Sequence, residues 1–399
     1  MHSTLTRLRA GTTLLGPAFV AAIAYVDPGN VATNTAAGAR YEYLLVWVLV
    51  AANVMAGLVQ YLSAKLGLVT GRSLPEILRD RLPRPLRLAY WGQAEVVAMA
   101  TDLAEVLGGA IALNLLFDLP LPVGGVITGV VSTALLMVQD RRGQQPFERV
   151  ITTMLAVIAV GFAAGLLVSP PESEALRGLA PRFADSDSVL LAAGMLGATV
   201  MPHAVYLHSA LARDRHGRAP HLLAATRVDV TVAMVLAGAV NTAMLLVAAS
   251  ALAGHEGVDS LDGVHAAIGA ELGGGVALLF AVGLLASGFA STAVGCYSGA
   301  VVLDGLLKVR VPLSTRRVVT LVPALVVLGA GVDPTFALVL SQVVLSFGIP
   351  FALVPLVRLT ASRTLMGVHV NHRAVTTAAV LVATAVIALN TALIYLTVR

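Results

Sequence analysis

Long apolar runs alternate along the chain with short breaks rich in charge, proline or glycine, and the runs lack the polar stripe of a soluble amphipathic helix. Reading the windows between breaks predicts helices near 11–38, 44–68, 88–116, 119–138, 149–168 and 189–211. Five more fall near 228–253, 275–307, 318–328, 335–357 and 374–398. A helix that crosses the hydrocarbon core needs about 20 apolar residues. The pattern therefore predicts an all-α integral membrane protein of eleven spans, with the longer runs absorbed by tilt, breaks or extension beyond the bilayer. The most hydrophilic stretches, 169–188 and 213–227, read as loops too short to be domains, which leaves one membrane domain over 1–399.

Composition agrees: 57% of the residues are hydrophobic and only 12% charged, about half the charged share of a soluble domain. The single cysteine, Cys296, excludes an internal disulfide and a cysteine metal cage. The net charge of +4 matters less than where the charges fall. With the N-terminus cytoplasmic, the inner segments hold every Lys and Arg except Arg40, Arg177, Arg182 and Arg399, while Glu172, Glu174, Asp185, Asp187, Glu256, Asp259 and Asp262 collect outside. Basic residues stay inside, so the N-terminus is expected in the cytoplasm and the C-terminus outside. One helix more or fewer in the middle would put half the arginines on the wrong side. The stretch 1–10 is basic, but the apolar run after it leads straight into Asp27-Pro28-Gly29-Asn30, so it reads as a retained span rather than a cleaved signal.

Two spans are interrupted at mid-depth. The first apolar run stops at Asp27-Pro28-Gly29-Asn30, and the sixth meets Met201-Pro202-His203. Proline removes a backbone donor and clashes with the preceding turn, and glycine tolerates the resulting geometry. Irregular backbone at that depth is stable only where it lines a protein-filled or wet cavity. The breaks fall in the first helix of each of two five-helix halves, 11–168 and 189–357, with 374–398 as an accessory helix. An odd number of helices per half inverts the second copy. Paired broken helices in inverted halves point to a transporter site at the repeat interface.

Asp27 within the membrane needs a cation, a basic partner or a proton. Asn30 adds an amide oxygen, and backbone carbonyls freed at the break, such as that of Ala24, add further hard donors. Met201 adds a soft thioether, which bonds transition metals and contributes almost nothing to calcium or magnesium. The set suggests a divalent transition metal held weakly enough to be released. The plainer alternatives are an aspartate pairing with a helix terminus and a methionine filling the core.

The third span carries Glu95, Asp102 and Glu105 within an arc of about 80° on one helical face. Carboxylates arrayed along one face suit a proton relay, and Arg316 and Arg317 at the start of the ninth span are their natural partners, neutralising Asp102 or Glu105. Asp27 and His203 extend the candidate route, although His203 could equally be a hydrogen-bonding strut. His208 reads as structural or gating, and Asn53, Thr101, Asn241 and Asn390 as vestibule linings or interhelical hydrogen bonds.

Asp27-Pro28-Gly29-Asn30 and Met201-Pro202-His203 resemble the signature motifs of the Nramp family of proton-linked divalent-metal transporters. The likeness extends to Ala100-Thr101-Asp102-Leu103-Ala104-Glu105, Tyr206-Leu207-His208-Ser209 and Ser341-Gln342-Val343. It implies a LeuT-like fold and import of manganese or ferrous iron with protons, cadmium and cobalt serving as surrogates. It also implies a ligand set of Asp27, Asn30, Met201, the carbonyls of Ala24 and Ala198, and Gln342 in some states. The metal would be substrate rather than resident cofactor, and the membrane a bacterial plasma membrane, with no nucleic acid or obligate protein partner.

Three other readings compete. A sodium-coupled amino acid carrier of the same fold would leave the broken-helix N-terminus free for a substrate carboxylate. A proton-independent metal channel would use the same ligands. An intramembrane metalloenzyme needs several neighbouring histidines, yet only His203 and His208 fall within a span, so a non-enzymatic role is expected.

Overall fold

The computed structural model of the protein describes residues 16–171, 173–255 and 257–398; of the predicted features, residues 11–15, Glu172, Glu256, Arg399 and the side chains of Asn390 and Val343 lie outside this description. The described residues are helical, without strands. In chain order the helices are α1 (Pro17–Ile23), α2 (Pro28–Tyr41), α3 (Val46–Thr70), α4 (Leu74–Arg81), α5 (Arg84–Phe117), α6 (Leu121–Arg142), α7 (Gln144–Ala163) and α8 (Gly165–Val168). They continue with α9 (Ser186–Thr199), α10 (Pro202–His216), α11 (Leu223–Ala251), α12 (Leu261–Glu271), α13 (Gly274–Leu307), α14 (Leu313–Gly329), α15 (Pro334–Thr360), α16 (Arg363–Met366) and α17 (Arg373–Val398). Eight helical stretches among the described residues are long and apolar enough to cross a membrane.

Among the described residues, helical structure occupies every window predicted as a span, with differences at the edges. The charged stretch 213–227 is mostly helix rather than loop: α10 runs on to His216 and stops at Gly217, whose φ of +63° only glycine adopts freely. Charged residues such as Arg213 and Arg215 continue a helix readily beyond the bilayer. Two short helices, α4 and α12, escaped the window reading because 8 and 11 residues are too few to register as spans.

Both predicted breaks are real interruptions. After α1 the chain makes a 3-10 turn over Ala24–Val26, turns extended at Asp27 (ψ 167°) and restarts at Pro28. Asp27 caps the new helix by accepting the Asn30 N–H at 2.9 Å, and Pro28 occupies a first-turn position where no backbone donor is required. Between α9 and α10 the extended Met201 (ψ 120°) precedes Pro202 in the same way.

Close helix approach sets these breaks against α5. A Cβ on Gly108 of α5 would overlap the Pro28 ring, and one on Gly288 of α13 would lie 2.7 Å from the backbone nitrogen of Gly109. Small residues at such crossings allow packing that dispersion alone must hold within lipid. Gly288→Val should therefore cost about 1–3 kcal/mol, seen as a lower unfolding temperature in detergent. Gly275→Ala, whose Cβ would meet nothing within 4 Å, should leave that temperature unchanged.

Candidate metal and proton site

The two breaks face each other across one side-chain amide. Asn30 Nδ2 donates to Asp27 Oδ1 at 2.6 Å and to the Ala198 carbonyl at 2.9 Å, tying the start of α2 to the end of α9. Asp27 and Asn30 are buried, at 1% and 0% exposure. Their other oxygens, Asp27 Oδ2 and Asn30 Oδ1, have no hydrogen-bond partner among the described residues. Two acceptors buried without donors are costly unless a cation or proton meets them. The carbonyl ends of α1 and α9 carry the negative ends of their helix dipoles, which adds to the attraction for a cation.

Gln342 of α15 packs over this point. A Cβ on Gly29 would overlap its amide nitrogen and lie 3.2 Å from Asp27 Oδ2, so only glycine leaves Gln342 room beside the carboxylate. Met201 is fully buried at the N-cap of α10. Of the carbonyls at the first break, those of Tyr25 and Val26 are engaged, accepting from Asn241 Nδ2 at 2.7 Å and Ser287 Oγ at 2.6 Å. Ala24 lies in the turn just before them, buried. Unwound backbone at this depth is thus held by side chains from α11 and α13.

A chain of polar contacts that the sequence did not disclose runs from the first break. Gln60 of α3 donates its amide to the Tyr25 hydroxyl, so its Oε1 accepts from His208 Nδ1, at 2.8 Å. His208, one of the predicted gating residues, is thereby linked to the turn preceding Asp27. Tyr25 and Gln60 went unnoticed because each is a lone polar group in an apolar run.

The acidic face of α5 begins beside the break. Pro28 packs on Gly108; Glu105, Asp102 and Glu95 then follow along the helix, Glu95 about 20 Å away at 1.5 Å per residue. Arg316 and Arg317 lie inside α14, buried, rather than flanking it. The expected pairing with Asp102 is made by Arg317, while Arg316 pairs with Glu95 rather than with Glu105. Arg317 engages both oxygens of Asp102, with Ser132 Oγ accepting its Nε at 2.7 Å and Thr292 donating to the same carboxylate. Arg316 donates to both oxygens of Glu95 at 2.9 Å. Glu105 takes neither arginine; its carboxylate lies against Gly295, 3.0 Å from where a Cβ would stand. Helical arithmetic sets the face of α5 but not the register of α14 against it, hence the difference.

His203 is 4% exposed, and neither of its ring nitrogens has a hydrogen-bond partner among the described residues. It borders a cavity of about 10 Å³, lined also by Gln93, Pro202 and Ser298, that has room for about one water. The remaining candidates lie at helix contacts. Asn241 also accepts from Asn34 Nδ2 at 3.0 Å. Asn53 and Thr101 donate to carbonyls of their own helices, Leu49 at 2.8 Å and Val97 at 2.9 Å, where they abut Gly238 and Gly295.

Asp102→Asn would strand the buried Arg317 charge and should cost about 3–5 kcal/mol, measured by unfolding in mixed micelles. Glu105→Gln, which breaks no ion pair among the described residues, should cost far less.

Residues 18–396 match the family model Nramp, described as "Natural resistance-associated macrophage protein-like". Similar curated proteins include the "Divalent metal cation transporter MntH" of Mycobacterium tuberculosis, 62% identical over all of this chain and 94% of that protein. The protein of the same description from Bacillus subtilis is 46% identical over 96% of this chain and 92% of its own length. Among solved structures, the Eremococcus coleocola manganese transporter superposes with a TM-score of 0.86 at 32% identity, covering 96% of this chain and 86% of that one. MHP1, a nucleobase-cation-symport-1 family transporter, shares the fold at a TM-score of 0.55 and 15% identity, covering 96% of this chain and 91% of that one.

Proposed function

This chain belongs to the Nramp family, and from that premise we propose that it is a secondary transporter importing a divalent transition metal, manganese or ferrous iron, together with protons. The observation that carries the reading is the pair of unpartnered oxygens, Asp27 Oδ2 and Asn30 Oδ1, buried where two broken helices meet. In this reading Asp27, Asn30, Met201 and the carbonyls of Ala24 and Ala198 ligate the ion, and Gln342 joins them when the outer side closes. The hard oxygens supply most of the attraction. The thioether confers preference for manganese or iron over calcium and magnesium, because a soft donor adds nothing for a hard ion.

The proton route leaves the metal at Asp27 and passes Glu105, which makes no ion pair with an arginine among the described residues and stands next to the break. It continues through the Asp102–Arg317 and Glu95–Arg316 pairs along α5. The buried arginines balance the charge of these two carboxylates within the membrane. His203 and its one-water cavity offer a second connection.

The membrane arrangement follows the charge pattern: eleven spans, N-terminus inside and C-terminus outside, in a plasma membrane. Segments 11–168 and 189–357 form inverted halves, and 374–398 is an accessory helix. Rocking of the halves about the breaks would alternate access, and the Tyr25–Gln60–His208 chain seals the inner side.

Purified protein in liposomes at clamped voltage tests this reading. Manganese should enter with acidification of the lumen, driven faster by an inward proton gradient and unaffected by excess calcium. Asp27→Ala should abolish uptake. Met201→Ala should keep manganese uptake but lose exclusion of calcium, and retained exclusion would remove selectivity from Met201. Metal flux indifferent to the proton gradient would favour a channel, and sodium-driven amino acid uptake a carrier.

A further inference from the structure

Away from the metal and proton residues, a recess of about 450 Å³ opens between the end of α6 and the first turn of α7, walled on a third side by the end of α10. Arg142, Arg149 and Arg215 line it, with the amides Gln144 and Gln145. Its one acid, Asp214, is already engaged by Arg213 Nε at 2.7 Å. Arg142 and Arg149 are exposed and take part in no ion pair among the described residues. The first turn of α7 carries no side-chain cap, so backbone donors at its positive end add to the field.

The depth of the recess identifies what fills it. On the same two helices, Val130 and Met137 of α6 and Val157 and Val160 of α7 remain exposed, a surface suited to lipid chains. From Met137 to Arg142 the helix rises about 7 Å, and from Val157 to Arg149 about 12 Å. The polar headgroup layer on each side of a bilayer is about 5–8 Å thick, so Arg142 stands within it and Arg149 at its outer edge, where a long side chain reaches back to the phosphates. Gln144 spends its amide donors on Glu148 and the Leu211 carbonyl, which leaves Arg142, Arg149 and the amide of Gln145, with Arg215 shared with Glu148, a cationic set that matches a phosphate ester, to which arginine donates in a bidentate fork.

We propose that this recess binds the headgroup of an anionic phospholipid of the inner leaflet. A soluble phosphate has the same chemistry, but it would have no need of a recess that starts where lipid-facing side chains stop. Arg215 also lies 3.8 Å from Glu148 Oε2, and that carboxylate sits against Gly16 at the entrance to α1. The headgroup would therefore share a cation with the support of the first broken helix.

The test uses the full chain in neutral detergent, with retained lipid counted by native mass spectrometry. Phosphatidylglycerol and phosphatidylcholine of matched acyl chains are the probes, with inorganic phosphate as competitor. Wild type should prefer phosphatidylglycerol, and the Arg142→Gln, Arg149→Gln double variant should lose about tenfold in affinity for it, with phosphatidylcholine unchanged. Arg142→Lys with Arg149→Lys should keep most of the preference. Equal binding of the two lipids by wild type, or undiminished preference in the Gln variant, would overturn the proposal. Displacement by inorganic phosphate as tightly as by lipid would overturn the assignment to lipid. Should the double variant elute abnormally, the single variants, each at an exposed position, carry the same comparison with about a threefold loss each.

Discussion

One side-chain amide, that of Asn30, holds the two broken helices together, and most of the site follows from its geometry. By donating to Asp27 on its own segment and to Ala198 on the other, it leaves its own oxygen and the second Asp27 oxygen without a hydrogen-bond partner among the described residues. Breaking helices at mid-depth exposes backbone that hydrocarbon will not tolerate. The surrounding polar side chains answer that cost: Asn241 and Ser287 take the loose carbonyls, and Asp27 caps the restarting helix. The oxygens that remain unpartnered are the ones a cation can use.

The acidic face of α5 shows how the same chemistry divides into two roles. Asp102 and Glu95 are each matched by a buried arginine from α14, whereas Glu105, nearer the break, is matched by neither. The arginines balance the charge of Asp102 and Glu95 within the membrane, and Glu105 makes no ion pair among the described residues. In the proposed cycle Glu105 passes the proton from the region of Asp27 to the arginine-paired carboxylates.

Much of this was legible from the chain. The breaks are written in Asp27-Pro28-Gly29-Asn30 and Met201-Pro202 because proline and glycine at mid-run leave no other solution, and the acids of α5 share a face because helical spacing requires it. What was hidden depends on how separate helices register against one another. Arg316 on Glu95 rather than on Asp102 or Glu105, Gln60 between Tyr25 and His208, and Gln342 over Gly29 are contacts between segments far apart in sequence. Short helices such as α4 were hidden for a different reason, since eight residues leave no hydropathy signal.

The central claim is that the ion sits between the breaks, coordinated by Asp27, Asn30 and Met201. Crystals of the protein grown with manganese, measured at the manganese absorption edge, test it most directly. The account predicts one anomalous peak within coordination distance of Asp27 Oδ2, Asn30 Oδ1 and the Met201 sulfur. A peak beside Glu105 or Asp102 instead, with the space between the breaks empty, would contradict it.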